Sequence, residues 1–469
     1  MLRQRFLIMF PLGILLAGCA DMGAVFRTPE IELPDRYSLV APVQAPSRDE
    51  VNWWRNFDDP VLDQLVAQGM AGNLTVAEAQ ARLREAEADA RREGVALSGN
   101  GRVDATTATR SDDRFDVGLD AQINLAGEAR HRSRAAQARF EAAQLNEVEA
   151  RRTILSEMAQ AYTNMRFLQS TRVTREQDLR SRRRTMRDIQ KQLDLGEATR
   201  LDLLRAQSLM AETRAEIPRI ESDIIQQRNR ISTLLGVPVG ALTLDLGYKG
   251  QQPLPKRVAD IGVPADLLRA RPDIRRAERL YAAAVSDVSA AHAARYPSLR
   301  LSGLITTPFG SGASSESLLA GLVVPVFSQP ALAANEDATV ARVEQAYLQW
   351  RVAVLEAVEE VENAQVLLQS ALAATKASRE AVELNRQSLA LSRELVVSGG
   401  NITVLDVLDR ERALSASRTS LAQNQRDVAA GYIALRVALG RGHPLVQDEP
   451  EPDTEVAGET VTQAIITTE

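Results

Sequence analysis

The sequence predicts a mainly α-helical chain that carries a few membrane-spanning β-strands, and three features predict it. From Phe115 to Leu125 every odd position is apolar (Phe115, Val117, Leu119, Ala121, Ile123, Leu125), and every even position is polar or Gly (Asp116, Gly118, Asp120, Gln122, Asn124). Strand side chains alternate faces, so this segment has one apolar wall and one wet, partly anionic wall. Directly after it, no Pro occurs from Glu128 to Ile217, and the sequence is helical in character well beyond the length of an ordinary globular helix. The third feature is internal duplication. Asn73-Leu74-x-x-Ala77-Glu78 matches Asp273-Ile274-x-x-Ala277-Glu278, Gly196-x-x-Thr199-x-x-Asp202 matches Gly400-x-x-Thr403-x-x-Asp406, and Leu235-Gly236 matches Leu439-Gly440. The offsets are 273 − 73 = 200, 400 − 196 = 204 and 439 − 235 = 204, in one order along the chain.

Each half therefore reads as helix, strand pair, long helix, tight turn and returning helix. In the first half the expected elements are a helix over 59–95, strands over 101–110 and 114–125, and helices over 128–195 and 199–235. In the second they are a helix over 273–295, strands over 298–307 and 317–327, and helices over 332–398 and 402–439. At ~1.5 Å per residue, the helix over 128–195 reaches ~100 Å. The second long helix carries a heptad seam (Val343, Tyr347, Trp350, Val354, Ala357, Val361, Ala364, Leu368), so it packs laterally along its length. Four strands cannot close a barrel with a usable lumen. Their bare edges would cost several kcal/mol per unpaired group in lipid. If the strands lie in a membrane, several copies must pool them.

The amino terminus indicates the compartment. Arg3 and Arg5 precede a short apolar run, Leu7 to Leu16, and Leu16-Ala17-Gly18-Cys19 reads as a lipoprotein cleavage site. Cys19 is the only cysteine in the chain, which excludes a disulfide within it and a cysteine-based metal cluster. A diacylglycerol thioether on Cys19 plus an N-acyl chain would anchor strongly, at ~0.8 kcal/mol per buried methylene; Ala20 in second place sends such products to the outer membrane. Charged residues make up 25% and aromatics only 4%, a balance suited to packed helices rather than a bulky core. With a net charge of −6 and no dominant basic stripe, nucleic acid is not an expected partner. The tail beyond Val446 is acidic, without Lys or Arg, and reads as disordered.

Several motifs recur with this architecture: Trp53-Trp54-x-x-Phe57-x-Asp59-Pro60-x-Leu62-Asp63, Pro264-x-Asp266-Leu267-Leu268-x-Ala270-Arg271-Pro272-Asp273-Ile274, Tyr296-Pro297-Ser298-Leu299, Val404-Leu405-Asp406-Val407-Leu408-Asp409 and Ala438-Leu439-Gly440. Together they resemble the outer membrane efflux proteins, the TolC-like outer membrane factors, and within them the lipid-anchored OprM/NodT branch, over essentially Cys19 to Gly440. The resemblance implies a homotrimer with a twelve-stranded outer-membrane β-barrel continuous with a long periplasmic α-helical barrel, and two structural repeats per chain. It implies passive export of drugs or other small molecules delivered by an inner-membrane pump of the resistance-nodulation-division (RND) class and a periplasmic membrane-fusion adaptor. No cofactor is expected beyond the lipid on Cys19, and no enzymatic activity. A polypeptide-secretion outlet of type I, or a lipid-anchored coiled-coil scaffold without a pore, are the competing readings. The chain departs from the family pattern at Ile123-Asn124-Leu125-Ala126-Gly127, at Pro330, where Gly is usual, and at Arg441-Gly442-His443.

The expected organisation is a signal peptide (1–18), an anchored amino-terminal and equatorial segment (19–58), a first repeat (59–240) with strands within 101–125 and a helical hairpin over 128–235, and a linker (241–263). A second repeat (264–440) follows, with strands within 298–327 and a helical hairpin over 332–439, and then the acidic tail (441–469). At the hairpin turns, Gly196 and Gly400 suit the positive φ that ends a helix, and Thr199 and Thr403 suit caps with Asp202 and Asp406 at the positive helix end. Capping chemistry accounts for these residues by itself; the resemblance adds that the tips face the adaptor. Leu405, Asp409 and Arg412 recur on one helical face, and the resemblance implies that they constrict the periplasmic entrance. By itself such a charge pair is an ordinary solvated one. His131, His292 and His443 lack zinc-type spacing, and no phosphate-binding or nucleophile-elbow motif occurs.

Overall fold

The computed structural model describes residues 26–28, 30–34, 36–37, 48–95, 98–106, 113–247, 252–256, 264–266, 270–309, 313–397 and 402–442. Cys19, the signal segment 1–18, Gly400, His443 and the tail beyond it lie outside the described residues. After a 3-10 segment (Arg48–Phe57), the chain forms α1 (Pro60–Gly72), α2 (Leu74–Glu93), β1 (Ser98–Thr106), β2 (Arg114–Asn124), α3 (Glu128–Asp194) and α4 (Arg200–Leu234). A short 3-10 turn (Pro264–Asp266) leads to α5 (Pro272–Ala293), β3 (Ser298–Pro308), β4 (Ser315–Val323), α6 (Gln329–Val397) and α7 (Val404–Ala438).

Two boundaries differ from expectation for clear reasons. The single helix expected over 59–95 is two helices, because Asn73 is extended and both ends one helix and caps the next. Its side-chain oxygen accepts from the Thr75 and Val76 N–H groups (2.8 and 3.1 Å), while its amide donates to the Leu234 carbonyl (2.7 Å). β4 stops at Val323 instead of 327 because Pro325 has no N–H to give a ladder and restricts Val324 before it. The remaining bounds shift by a few residues: β1 runs over 98–106 rather than 101–110, and α6 begins at Gln329 rather than 332.

The strands form one antiparallel meander in the order β1-β2-β3-β4, leaving β1 and β4 as edges. Register carries the alternation of β2 across the sheet. Leu119 stands opposite Gly101 and Gly303, and Gly303 opposite Leu318; Ile123 stands opposite Leu299, and Leu299 opposite Leu322. On the other face each β2 carboxylate is answered. Asp116 accepts from the Thr306 hydroxyl (2.6 Å) and pairs with Arg114 (3.2 Å), and Asp120 accepts from Ser302 (2.6 Å) and pairs with Arg300 (3.0 Å). Arg102 and Asp104 of β1 pair likewise at 2.5 Å. In β3 and β4 the apolar face is interrupted by Thr307, opposite Phe115, and by Glu316, opposite Ile305. At the strand–helix corner Asn124 bonds to the backbone ahead of it. Its oxygen accepts from the Ala126 N–H (2.9 Å), and Gly127 takes φ +80°.

α3 and α6, of 67 and 69 residues, each rise ~100 Å. Within the chain α3 packs between α4 and α7, and α6 packs on α7. The core lies at mid-height, where α1, α3 and the end of α4 meet the seam of α6 and the end of α7. Trp350, Val354, Ala357, Val361, Ala364 and Leu368 of the heptad seam are buried, and Val343 and Tyr347 partly so. The amino-terminal motif belongs to this core. Trp53 and Phe57 meet Tyr432 edge-on at 6.2 and 5.4 Å, and Asp59 caps α1 through Val61 (3.0 Å). Asp59 also accepts from the Tyr162 hydroxyl (2.5 Å); burial and this acceptor push the phenol up. Arg166 donates to the Gly247 carbonyl (2.6 Å), pinning the described start of the linker against α3.

Two clasps close the helical layer. Arg271, 3% exposed, donates to the Ala438 carbonyl at the end of α7 (3.0 Å) and to Glu360 of α6 (2.6 Å), and pairs with Asp273 (2.5 Å). Arg152 of α3 reaches the neighbouring Val437 carbonyl. Both cations thus sit on the negative end of α7. The duplicated Leu-Gly pair explains itself here. Gly236 (φ +72°) and Gly440 (φ +70°) turn the chain out of α4 and α7, where a Cβ would fall 2.2 Å from the Gly72 carbonyl oxygen and 2.7 Å from that of Ala270.

Replacing Gly236 by Ala should cost ~3 kcal/mol or more, since strain at positive φ adds to backbone overlap, whereas Gly196→Ala, with φ +80° but open space, should cost ~1 kcal/mol. Thermal melting of the purified protein checks the order. Arg271→Ala should cost ~3–5 kcal/mol by stranding Asp273. Burial raises the Asp273 pKa, but the hydrogen bonds and charge of Arg271 outweigh it and hold it below the ordinary value. The pair therefore stabilises fully above pH ~4, and its contribution fades as acid takes Asp273 through its lowered folded-state pKa. The Arg271→Ala penalty should accordingly be smaller in acid than at neutral pH, read as the difference in melting temperature from the parent.

Candidate functional site: the helical hairpin tips

The end of the molecule opposite the strands is built from two turns, α3–α4 and α6–α7. At the first, Gly196 adopts φ +80° and its N–H bonds to the Leu193 carbonyl (3.0 Å), while the Glu197 N–H reaches back to Gln192 (2.8 Å). Thr199, extended, caps α4. Its hydroxyl oxygen accepts from the Asp202 N–H (3.2 Å), and the Asp202 carboxylate accepts from the Thr199 N–H (3.1 Å) and hydroxyl (2.5 Å). Thr403 and Asp406 repeat this at the start of α7, with the carboxylate accepting at 2.8 and 2.7 Å. Hydrogen bonds from Thr199 and Thr403 hold both carboxyls below their ordinary pKa. Each capping box is reciprocal, and its Thr and Asp remain in contact with solvent.

One turn along α7, Arg412 Nη1 lies 3.1 Å from Asp409 Oδ1, both side chains about half exposed, and Leu405 is 38% exposed on the same helical face. Among the described residues this pair makes no other ion pair. An exposed i, i+3 pair contributes only ~0.5 kcal/mol, so its value lies in where it points.

Sequence reasoning missed the interactions that hold the two hairpins to each other. Glu411 of α7, 5% exposed, takes hydrogen bonds from Ser181 (3.0 Å) and Thr185 (2.7 Å) of α3 and from Arg393 of α6 (2.5 Å). About two turns further from the tip, Asp178 of α3 accepts from Ser415 (2.7 Å) and pairs with Arg175 and Arg418, each at 3.2 Å; Arg175 also pairs with Glu216 of α4 (2.7 Å). Two carboxylates thus sit between the hairpins, each bonded from more than one helix; the bonds to Glu411 all fall on Oε1, and its buried Oε2 takes none among the described residues. Only the small hydroxyl side chains at i, i+4 spacing (Ser181 and Thr185, Ser415 and Thr419) hint at them in the sequence. Among the described residues, no group of three or more His, Cys, Asp or Glu is placed to hold a metal ion. His131 is buried, and His292 bonds to Glu336 (2.8 Å) far along the fold.

The comparisons with known proteins agree with this geometry. The sequence model of the outer membrane efflux protein family matches residues 65–237 and 263–441. Nodulation protein T of Rhizobium leguminosarum bv. trifolii is 30% identical, over 92% of this chain and 96% of that protein. The pyoverdine export outer membrane protein OpmQ of Pseudomonas putida is 28% identical, over 93% and 97%. Among solved structures, the outer-membrane channel OprN superposes with a TM-score of 0.81 at 28% identity, covering 90% of this chain and 99% of that one. The open-state MtrE outer membrane channel of Neisseria gonorrhoeae shares the fold, with a TM-score of 0.80 at 23% identity over 90% and 98%. With most of its length matched by the family model and its fold shared with two such channels, the chain belongs to the outer membrane efflux protein family.

Proposed function

We propose that the chain is the passive outer-membrane outlet of a tripartite efflux system, working as a homotrimer that receives small molecules from an inner-membrane RND-class pump through a periplasmic membrane-fusion adaptor. One observation carries the reading: a four-stranded sheet with an apolar face and two bare edges sits at one end of two ~100 Å helical hairpins. Bare edges in hydrocarbon cost several kcal/mol per group, so β1 of one copy must meet β4 of the next. Three copies give twelve strands and a lumen wider than side chains alone can fill. α4 and α6, the outer helices of the layer, join neighbouring copies in the same way and complete a helical barrel.

In this reading residues 59–240 and 264–440 are structural repeats joined by the linker 241–263, and Cys19 carries the lipid that holds the amino terminus to the outer membrane. The tips at Gly196, Thr199, Asp202, Gly400, Thr403 and Asp406 face the adaptor. Leu405, Asp409 and Arg412 gather near the three-fold axis, where three copies of Asp409 form an anionic ring tied down by Arg412. The protein supplies a path and a closure, and no chemistry.

Reconstitution in planar bilayers tests the whole: a heat-labile trimer with discrete conductance supports it, and a lipid-bound protein without conductance favours the scaffold. Asp409→Ala and Arg412→Ala should each raise basal conductance severalfold; parental conductance in both would remove the gate. Leu119→Lys or Ile123→Lys should lower the yield of heat-labile trimer far more than Asp120→Glu. A cation on the lipid face costs ~2–4 kcal/mol at the membrane midplane.

A further inference from the structure

The two hairpins, so alike in backbone, differ in charge on the face they turn away from their neighbours. On α3 the core-facing Leu179, Met186 and Leu193 correspond to Val382, Leu389 and Val396 on α6, an offset of 382 − 179 = 389 − 186 = 396 − 193 = 203. The second turn is thus one residue longer than the first. On the side of α3 away from the buried Asp178, Arg182, Thr185 and Ile189 stand Arg180, Arg183, Arg184, Arg187 and Lys191, all exposed, and none has an ion-pair partner among the described residues. Their spacing of i, i+3, i+4, i+7 and i+11 puts them on one helical face, a stripe about 17 Å long. It ends close to Gly196 at the tip. Asp188, at its flank, is the one exposed acid between Arg180 and Lys191. The matching positions on α6 are Glu383, Arg386, Gln387, Ala390 and Glu394, where Glu383 accepts from Arg386 (2.9 Å) and Gln387 (2.8 Å). The second hairpin presents an ordinary neutralised surface, and the first presents five cations.

That stripe works against its own helix, since like charges at i, i+3 and i, i+4 cost ~0.2–0.5 kcal/mol per pair. It does not serve packing either, because the buried Asp178, Arg182, Thr185 and Ile189 lie on the other side of α3, toward α4 and α7. Its own chain supplies both neighbours of α3, so in the outlet reading a second copy joins at α4 and α6 and leaves the stripe uncovered. The α4 and α7 contacts of α3 run through Arg182, Thr185 and Asp178, so the stripe faces away from both. It runs along the helix axis, so a planar anionic membrane facing the tips could touch only its last turn. A helix lying alongside could meet all of it.

Resting on the outlet reading above, we propose that this α3 stripe is the docking surface for an acidic helical face of the periplasmic adaptor, so that the adaptor engages the first hairpin by charge and the second by other contacts. Charge complementarity along such a face steers association and fixes register.

The test uses the full-length trimer in detergent and the purified soluble adaptor whose deletion abolishes efflux through this channel. Binding is measured at about 50 and about 300 mM salt, across which surface charges become strongly screened. The Arg183→Glu/Arg187→Glu variant should weaken adaptor binding about tenfold or more, chiefly through association rate. Arg183→Gln/Arg187→Gln should weaken it less, Arg386→Glu on the second hairpin should change it little, and parental affinity should fall with salt. Heat-labile trimer and unchanged conductance establish that the variants assemble. Parental adaptor affinity in the Glu variant overturns the proposal while leaving the outlet reading intact. So does loss of binding only to phosphatidylglycerol vesicles, which would make the partner a membrane, or altered ion selectivity with unaltered adaptor binding, which would place the stripe in the pore. If no adaptor binds the parental trimer and no conductance is seen, both readings fall together.

Discussion

Backbone hydrogen bonding at the two open edges of a small sheet governs the rest of this molecule. β2 and β3 are paired on both sides over most of their length, but β1 and β4 each present an unpaired row. Water would tolerate those rows; hydrocarbon would not. An apolar face that asks for lipid and edges that cannot stand in it are reconciled only when copies share strands. Once copies share strands, the long helices continuing from them are brought side by side as well. In the proposed trimer the sheet thus sets how copies join, and their joining turns four helices per chain into a wall.

The helical part is held by a different economy. Near mid-height the contacts are apolar and dense, from Trp53 and Phe57 through Tyr432 to the α6 seam. Toward the tips they thin into two small apolar clusters with Glu411 and Asp178 buried beside them. Buried carboxylates add little net stability even when well paired, but they tolerate only one arrangement of their donors. Greasy packing would allow the hairpins to slide past each other; Glu411, held by Ser181, Thr185 and Arg393 at once, does not. The membrane-distal end is therefore specified more strongly than it is stabilised, which suits the proposed gate.

How much of this could be read from the sequence depended on the distance between partners. The alternation of Phe115 to Leu125 and the Thr199/Asp202 and Thr403/Asp406 boxes are local, and the structure places them as the sequence indicates. The Leu-Gly duplication was visible, but its cause was not, because Gly236 is required by the carbonyl of Gly72, far back in the chain. The break at Asn73 and the end of β4 before Pro325 were open to local reading, since Gly-Asn is a common stop-and-cap pair and Pro cannot continue a ladder. The Glu411 and Asp178 clusters were beyond reach: Thr185 and Glu411 are 226 residues apart, and nothing local marks either as buried.

The wet face of the sheet carries a last consequence. Asp104, Asp116 and Asp120 are matched one for one by Arg102, Arg114 and Arg300, each couple within a few ångströms. Turned to the lumen of the proposed barrel, such couples look like dipoles, not monopoles, to a passing solute, and their fields decay steeply toward the centre. A vestibule so lined has little electrostatic preference for one sign of cargo over the other. Sorting by charge must then be finished before a compound leaves the helical tunnel, and the exit itself can remain indifferent to what it releases.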